Sequence, residues 1–195
     1  MYNKEKFDEI QALKAANLFD ILGTARLKDK DLTARHIIVA TIVAYRGSCS
    51  KDYLKNTLGC VHPKGEFEKL IKDGILAWDG KNLTFCEDVI PRELEKYPRR
   101  TLLFFINSVF NIARYRKEHG INSYNALFMA MAAALKFNWE TGITEMKGTN
   151  FLGCSSSPTS SVAAREIAVK AGFFRRIGNQ HSGSYELNKH AYLVK

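Results

Sequence analysis

Apolar residues recur at helical spacing through the first part of the chain. In the first segment they fall at Phe7, Ile10, Leu13, Leu18, Ile21 and Leu22. This spacing predicts an amphipathic helix over residues 4–22, with Gly23 as its stop. Thr33 is placed to cap a second helix, ARHIIVATIVAY, whose dense apolar positions predict a buried face.

Residues 50–89 predict two further helices and a hairpin. Ser50 is placed to cap a short helix, KDYLKNTL, which Gly59 closes, and a third helix is predicted in GEFEKLIKD. Gly74 ends that third helix. Strand-forming residues on both sides of Asp79-Gly80 then predict a β-hairpin, because Asp-Gly suits a tight turn between two strands.

The second half is predicted to repeat this order. Residues 98–117 are too apolar for a solvated linker and predict a largely buried connecting helix. Ser123 is placed to cap YNALFMAMAAALKFNWE, and ITEMKGTNFLG is predicted to form a short helix. A helix beginning near Pro158 then precedes strands at 173–177 and 185–187, which flank the loop GNQHSGS. The apolar stripe of that helix is predicted at Val162, Ala163, Ile167 and Ala168.

Three helices followed by a hairpin is the element order of a winged helix-turn-helix. The phrase FEKLIKDGILAWDGKNLTF resembles the end of the third helix and the wing in that superfamily, and REIAVKAGFFRRI resembles the same junction. The resemblance implies an α+β, mainly helical fold of two winged-helix-like modules joined by a buried connecting helix. Residues 1–97 would hold an N-terminal helix and the first module, and residues 98–195 the connecting helix and the second.

The net charge of +9 is concentrated in the second half of the 195-residue chain. Residues 1–97 carry 16 basic and 15 acidic side chains, a net of +1, whereas residues 98–195 carry 13 and 5, a net of +8. A strong positive balance indicates a polyanionic partner rather than a particular fold. The asymmetry therefore predicts a nucleic-acid-binding second half and a different task for the first.

A DNA-binding surface needs cations for phosphates and short polar side chains near a helix start. The second half has both, around its predicted third helix and hairpin. The predicted contacts are Ser157, Thr159, Ser160, Ser161, Arg165, Lys170, Arg175, Arg176, Asn179, Gln180 and His181. The same residues can also form a capped surface loop and a solvated hairpin edge, which is the alternative interpretation.

In the first half the corresponding DNA contacts would be Lys51, Lys55, His62 and Lys64. Its third helix also carries carboxylates, Glu66, Glu68 and Asp73, which would face phosphates unless they point away. Dimerisation or contact with another protein is therefore the competing role for this module.

Motifs for catalysis are missing from the sequence. It contains no phosphate-binding loop, no GxSxG and no HExxH, and its four cysteines have no CxxC spacing. We therefore expect no enzyme activity, no metal and no cofactor.

The apolar run within residues 101–113 is shorter than the roughly 20 residues of a membrane span, so no membrane partner is expected. The charged start MYNKEKFDEI is unlike a signal peptide, and a cytoplasmic, nucleoid-associated location is expected.

The sequence thus predicts a sequence-specific double-stranded DNA-binding regulator that acts as a homodimer on half-sites about one DNA turn apart. A replication initiator of plasmid or phage type is the alternative within DNA binding, because tandem winged helices resemble that architecture. A different class, a protein-interaction subunit or inhibitor of a transcription or replication machine, would use the basic half against an acidic protein. RNA in place of DNA also stays open at this point.

Overall fold

The described residues form an α+β fold dominated by helices, with two small antiparallel sheets. The computed structural model describes residues 7–29, 31–59, 62–91, 93–146, 158–178 and 183–193, with only the backbone at 158–161. The first half forms α1 (Glu9–Ala25), α2 (Ala34–Arg46), β1 (Ser48–Ser50), α3 (Lys51–Leu58), α4 (Pro63–Glu66), α5 (Glu68–Lys72), β2 (Leu76–Trp78) and β3 (Asn82–Phe85). The second half forms α6 (Arg99–Glu118), α7 (Tyr124–Leu135), β4 (Ile143–Glu145), α8 (Pro158–Lys170), β5 (Phe174–Ile177), β6 (Ser184–Leu187) and α9 (Lys189–Tyr192). A 3-10 turn covers Glu87–Val89.

The predicted helix caps at Thr33, Ser50 and Ser123 are confirmed. Each side-chain oxygen accepts a hydrogen bond from the backbone N–H three residues further on, at 3.2–3.3 Å. Gly59 closes α3 with a left-handed φ of 68°, which a residue with a Cβ rarely adopts. Local chemistry therefore determines where α2, α3 and α7 begin and where α3 ends.

Both halves build a three-stranded sheet with the same connectivity. The strand order is β1-β3-β2 in the first half and β4-β6-β5 in the second, and every pairing is antiparallel. In each sheet the short strand after a long helix pairs with the second strand of the hairpin. The order helix, strand, helix, hairpin is thus repeated along the chain.

One hydrophobic core runs through both halves. Helix α1 packs on α2 and α6, and α7 packs on α2 and α6, so four helices form the centre. Phe19 of α1 stacks on Phe128 of α7 with ring centroids 4.6 Å apart and meets Phe105 of α6 edge-on at 5.4 Å. All three rings are fully buried. The predicted burial of the helix near residues 98–117 is confirmed by α6.

A buried asparagine fixes the segment after each hairpin. Asn17 of α1 donates to the Glu95 carbonyl at 3.0 Å and accepts from its N–H at 2.8 Å. Asn111 of α6 donates to the Ala191 carbonyl at 2.9 Å. The same residue type thus ties the long helix of each half to the chain that follows its sheet.

Two helix boundaries in the first half differ from the prediction. Helix α1 begins at Glu9, where the Asp8 side chain accepts from two backbone N–H groups, and it continues past the buried Gly23 to Ala25. The predicted third helix is broken in two at Phe67, whose backbone leaves the helical region at φ −121° and ψ 23°. The ring of Phe67 is fully buried, so its packing outweighs the continuity of a short helix.

The prediction that ITEMKGTNFLG is helical is wrong for its first residues, which form β4; residues 147–153 lie outside the described part of the chain. The β-branched Thr144 pairs with Tyr185 of β6, and its hydroxyl donates to the Ala133 carbonyl at 2.8 Å. Helix α7 accordingly ends at Leu135 rather than at Glu140, because Phe137 already pairs as a bridge with Thr144.

Candidate nucleic-acid interface

Helix α8 lies against α7 and precedes the second hairpin. Its predicted start at Pro158 is confirmed, and its first turn contains the backbone of Thr159, Ser160 and Ser161. Ser157 and the predicted tip residues Asn179, Gln180 and His181 lie outside the described residues. The structure thus places the helix and both strands of the predicted interface.

The predicted apolar stripe of α8 is wrong in part. Ala164 and Ala168 are the buried positions, at 3% and 0% exposure, whereas Val162 and Ile167 are 37% and 42% exposed. Ala163 is exposed as well. Small side chains at the contact let α8 approach α7 closely, and the larger apolar side chains consequently face solvent.

The cations of α8 have different surroundings. Arg165 is half-buried, and its Nε atom is buried without a hydrogen-bond partner among the described residues. Lys170, the last residue of the helix, is exposed and forms no ion pair within the part of the chain described. Lys170 is therefore the cation of α8 most accessible to an anionic partner.

Both hairpin arginines already contact carboxylates. Arg175 pairs with Glu186, which lies opposite it in the β5–β6 register, yet 78% of the Arg175 side chain remains exposed. Arg176 pairs with Glu166 of α8, and its guanidinium lies 6.0 Å from the Tyr185 ring centroid. Hydrogen bonds, first with Tyr185 and then with Glu166, raise the pKa of Arg176. Arg176 thus links α8 to the hairpin, whereas Arg175 remains on the surface.

In the first half, the predicted DNA-contacting residues and the nearby carboxylates have different surroundings. Lys51, Lys55, His62 and Lys64 are exposed, and no ion pair involves any of these four within the described ranges. The carboxylates each have a basic partner: Glu66 pairs with Arg35, Glu68 with Lys72 and Asp73 with Lys69.

Lys69 bridges two acidic groups, with Asp29 at 2.7 Å and Asp73 at 3.0 Å. These hydrogen bonds, the one to Asp29 first, raise the pKa of Lys69. The lysines of α5 are consequently neutralised locally, so among helices α3 to α5 the exposed lysines without an ion pair in the described ranges lie on α3 and α4.

The end of α6 adds basic side chains beside α3, a proximity that was not predicted from the sequence. The Lys117 Nζ donates to the Asn56 carbonyl of α3 at 3.3 Å. Arg116 lies 4.3 Å and Arg35 5.2 Å from the ring centroid of Tyr124, so two guanidinium groups contact one aromatic side chain. Part of the charge of the second half therefore lies beside α3 of the first, which only tertiary packing reveals.

Comparisons of the chain with protein-family models, with curated proteins and with solved structures found no match. Across the described ranges, His, Cys, Asp and Glu side chains form no group of three suited to a metal ion. No helix in the part of the chain described has the length and apolarity to cross a membrane.

Proposed function

We propose that the chain is a sequence-specific double-stranded DNA-binding regulator built from two winged-helix-like modules. The observation that carries this proposal is the repeated order of elements, with the strand order β1-β3-β2 and β4-β6-β5. A winged helix joins its first strand to the second hairpin strand in this way, and it presents its third helix beside the wing. The positive charge of the second half supplies attraction for phosphates.

Of the two modules, the second is better suited to contact DNA bases. Helix α8 has 13 uninterrupted residues, about 20 Å at 1.5 Å per residue, and a major groove about 12 Å wide admits such a helix. In the first module the corresponding element is two short helices, α4 and α5. We assign groove contacts to α8 and a dimer or protein contact to the first module.

The exposed face of α8 supports both base contact and phosphate contact. Val162, Ala163 and Ile167 can meet thymine methyl groups, which are the apolar feature of the major groove. Lys170 follows on the same helix. Arg175 exchanges its exposed pairing with Glu186 for a phosphate at little cost, because such surface ion pairs contribute at most about 1 kcal/mol.

A protein-interaction subunit is the second candidate, and the exposed Val162 and Ile167 favour it. Apolar side chains of this size on a surface helix are also typical of protein interfaces. In that function the basic surface would contact an acidic protein, and binding to nucleic acid would be weak and insensitive to its strandedness.

The test is a fluorescence-polarisation titration of labelled duplex DNA of random sequence at two salt concentrations. We expect the wild-type chain to bind and to weaken steeply as salt rises, because phosphate contacts release counterions. The double variant Lys170→Ala/Arg175→Ala should bind about tenfold more weakly at low salt, since two cation–phosphate contacts are lost. The matched control is Lys28→Ala/Lys72→Ala, which also removes two exposed cations but from the first half, and it should bind like the wild type.

Other outcomes of this titration would contradict the proposal or favour a different function. Absence of binding to duplex DNA, single-stranded DNA and RNA alike would exclude nucleic acid and leave the protein-interaction candidate. Tighter binding to single strands or RNA than to duplex would contradict the major-groove assignment. Equal weakening by the Lys28/Lys72 control would show that only overall charge matters.

A further inference from the structure

A cleft of about 540 Å³ opens beside the second sheet. It lies between Phe104 of α6, residues 137–143, the β5–β6 hairpin and α9. The lining is mostly aromatic and aliphatic, with a few charged side chains at Arg175, Glu186 and Lys189. Small-molecule sites have this size, and they combine apolar walls with a few polar groups in the same way.

Three aromatic rings form one wall of the cleft and hold one another in place. Phe104 lies 5.2 Å from Phe137 and 5.4 Å from Trp139, and Phe137 lies 5.0 Å from Trp139, between ring centroids. The Trp139 indole N–H donates to the Thr101 hydroxyl at 3.2 Å. Trp139 nevertheless remains 37% exposed, so a fixed aromatic ring faces the solvent.

The charges around this wall are not balanced. Arg175 is matched by Glu186, whereas Lys189 lines the cleft without an acidic partner among the residues described. Arg100 lies 5.4 Å from the Trp139 ring centroid, and it forms no ion pair in the described ranges either. The cleft thus combines an aromatic wall with a net positive rim, which suits a planar ring that carries a negative charge.

We propose that this cleft binds a small aromatic carboxylate, with the ring against Trp139 and Phe137 and the acid group beside Lys189. Binding in this cleft does not require the proposed DNA function. Since Arg175 lines both the cleft and the hairpin surface, a bound carboxylate also competes for that guanidinium.

Two-dimensional ¹H–¹⁵N NMR of the whole chain tests this proposal with 2-naphthoate and its uncharged analogue 2-naphthamide. The two tryptophans give two indole N–H signals, which the Trp78→Phe variant assigns. Trp78 lies in β2 of the first half and serves as the internal reference. We expect naphthoate to shift the Trp139 signal and leave that of Trp78 in place, and to bind at least threefold more tightly than the amide.

The variant Lys189→Gln should remove most of that preference for the acid, a loss of about three- to fivefold, as for an exposed ion pair. Lys28→Gln, at an exposed lysine of the first half, is the matched control and should leave it intact. A Trp139 signal that does not move with millimolar naphthoate would overturn the site. Equal affinity for acid and amide, or an unchanged preference in Lys189→Gln, would overturn the assigned ligand class.

Discussion

The two halves of the molecule share an element order but differ in the surface that each presents. Both place a strand after a capped helix, join it to a hairpin and tie the next segment down through a buried asparagine. In the first half, α5 carries lysines that are neutralised by Asp29, Asp73 and Glu68. In the second half, Lys170 remains open on a continuous α8. Buried positions thus maintain a common architecture while exposed positions diverge.

The hydrophobic core, unlike the surface charge, is shared between the two halves. Phe19 of the first half contacts Phe105 and Phe128 of the second, at the centre of the four packed helices. The difference in charge therefore concerns what the halves bind and not whether they fold independently.

Phe19→Ala has the largest expected effect. It should lower the free energy of unfolding by about 3–5 kcal/mol, because it removes a fully buried ring and leaves a cavity between the halves. Urea unfolding is followed by tryptophan fluorescence in Trp78→Phe and Trp139→Phe backgrounds, in which the remaining tryptophan reports on one half. Both reporters should shift by the same amount. A shift confined to Trp78 would mean that the halves unfold separately.

Substitution of the buried Asn17 and Asn111 compares the stability that the equivalent contact contributes in each half. Asn111→Ala should cost about 2–3 kcal/mol, because it leaves the buried Ala191 carbonyl without a donor. Asn17→Ala should cost about 1 kcal/mol, because Glu95 is an exposed residue and its N–H and carbonyl are expected to bind water instead. Asn107→Ala, on the same helix as Asn111, is the control and should stay near wild type. The reverse order in thermal or urea unfolding would contradict this account of burial.

His36 gives the first half a pH-dependent contribution to stability, and its expected effect is the smallest of the three. It occupies the third position of α2, where α7 has Ala126. Burial lowers the pKa of His36 below its usual 6.5. The unfolded chain therefore takes up the proton first as the pH falls below about 6.5, and the free energy of unfolding decreases over that range.

The variant His36→Gln should reduce this loss of stability between pH 7.5 and pH 5.5, in urea titrations at the two pH values. Glutamine at this position still accepts a bond from the backbone N–H of Thr33, so the helix cap is retained. An identical pH dependence in wild type and variant would assign the effect to other groups.

The fold was predictable where local chemistry decides it. Thr33, Ser50 and Ser123 cap helices as their side chains require, and Asp79-Gly80 lies at the turn of the first hairpin. Strands β1 and β4 have three residues each, too few for an alternating pattern, and they exist because a hairpin strand pairs with them. The break at Phe67 likewise depends on a core that forms only in the tertiary structure.

For the candidate nucleic-acid interface, the segments that form it were predictable from the sequence, but the contacts of its side chains were not. The residue types around α8 and the hairpin indicate cations, but the partners of Arg175 and Arg176 lie 11 and 10 residues away and depend on strand register and helix packing. The stripe of α8 was misassigned because the larger apolar side chains of Val162 and Ile167 were expected to be buried, whereas the small Ala164 and Ala168 are the buried positions. The contact between Lys117 and Asn56 joins residues 61 positions apart.

The central claim is that the second half holds the DNA surface, and the salt dependence of duplex binding tests it most directly. Plots of log K against log salt would compare the wild type with Lys170→Gln/Arg175→Gln and with Lys51→Gln/Lys55→Gln. Each phosphate contact contributes about 0.9 to the slope, so the second-half variant should reduce it by about 2 and the first-half variant should leave it unchanged. A reduction produced by the first-half variant, with none from the second, would contradict the claim.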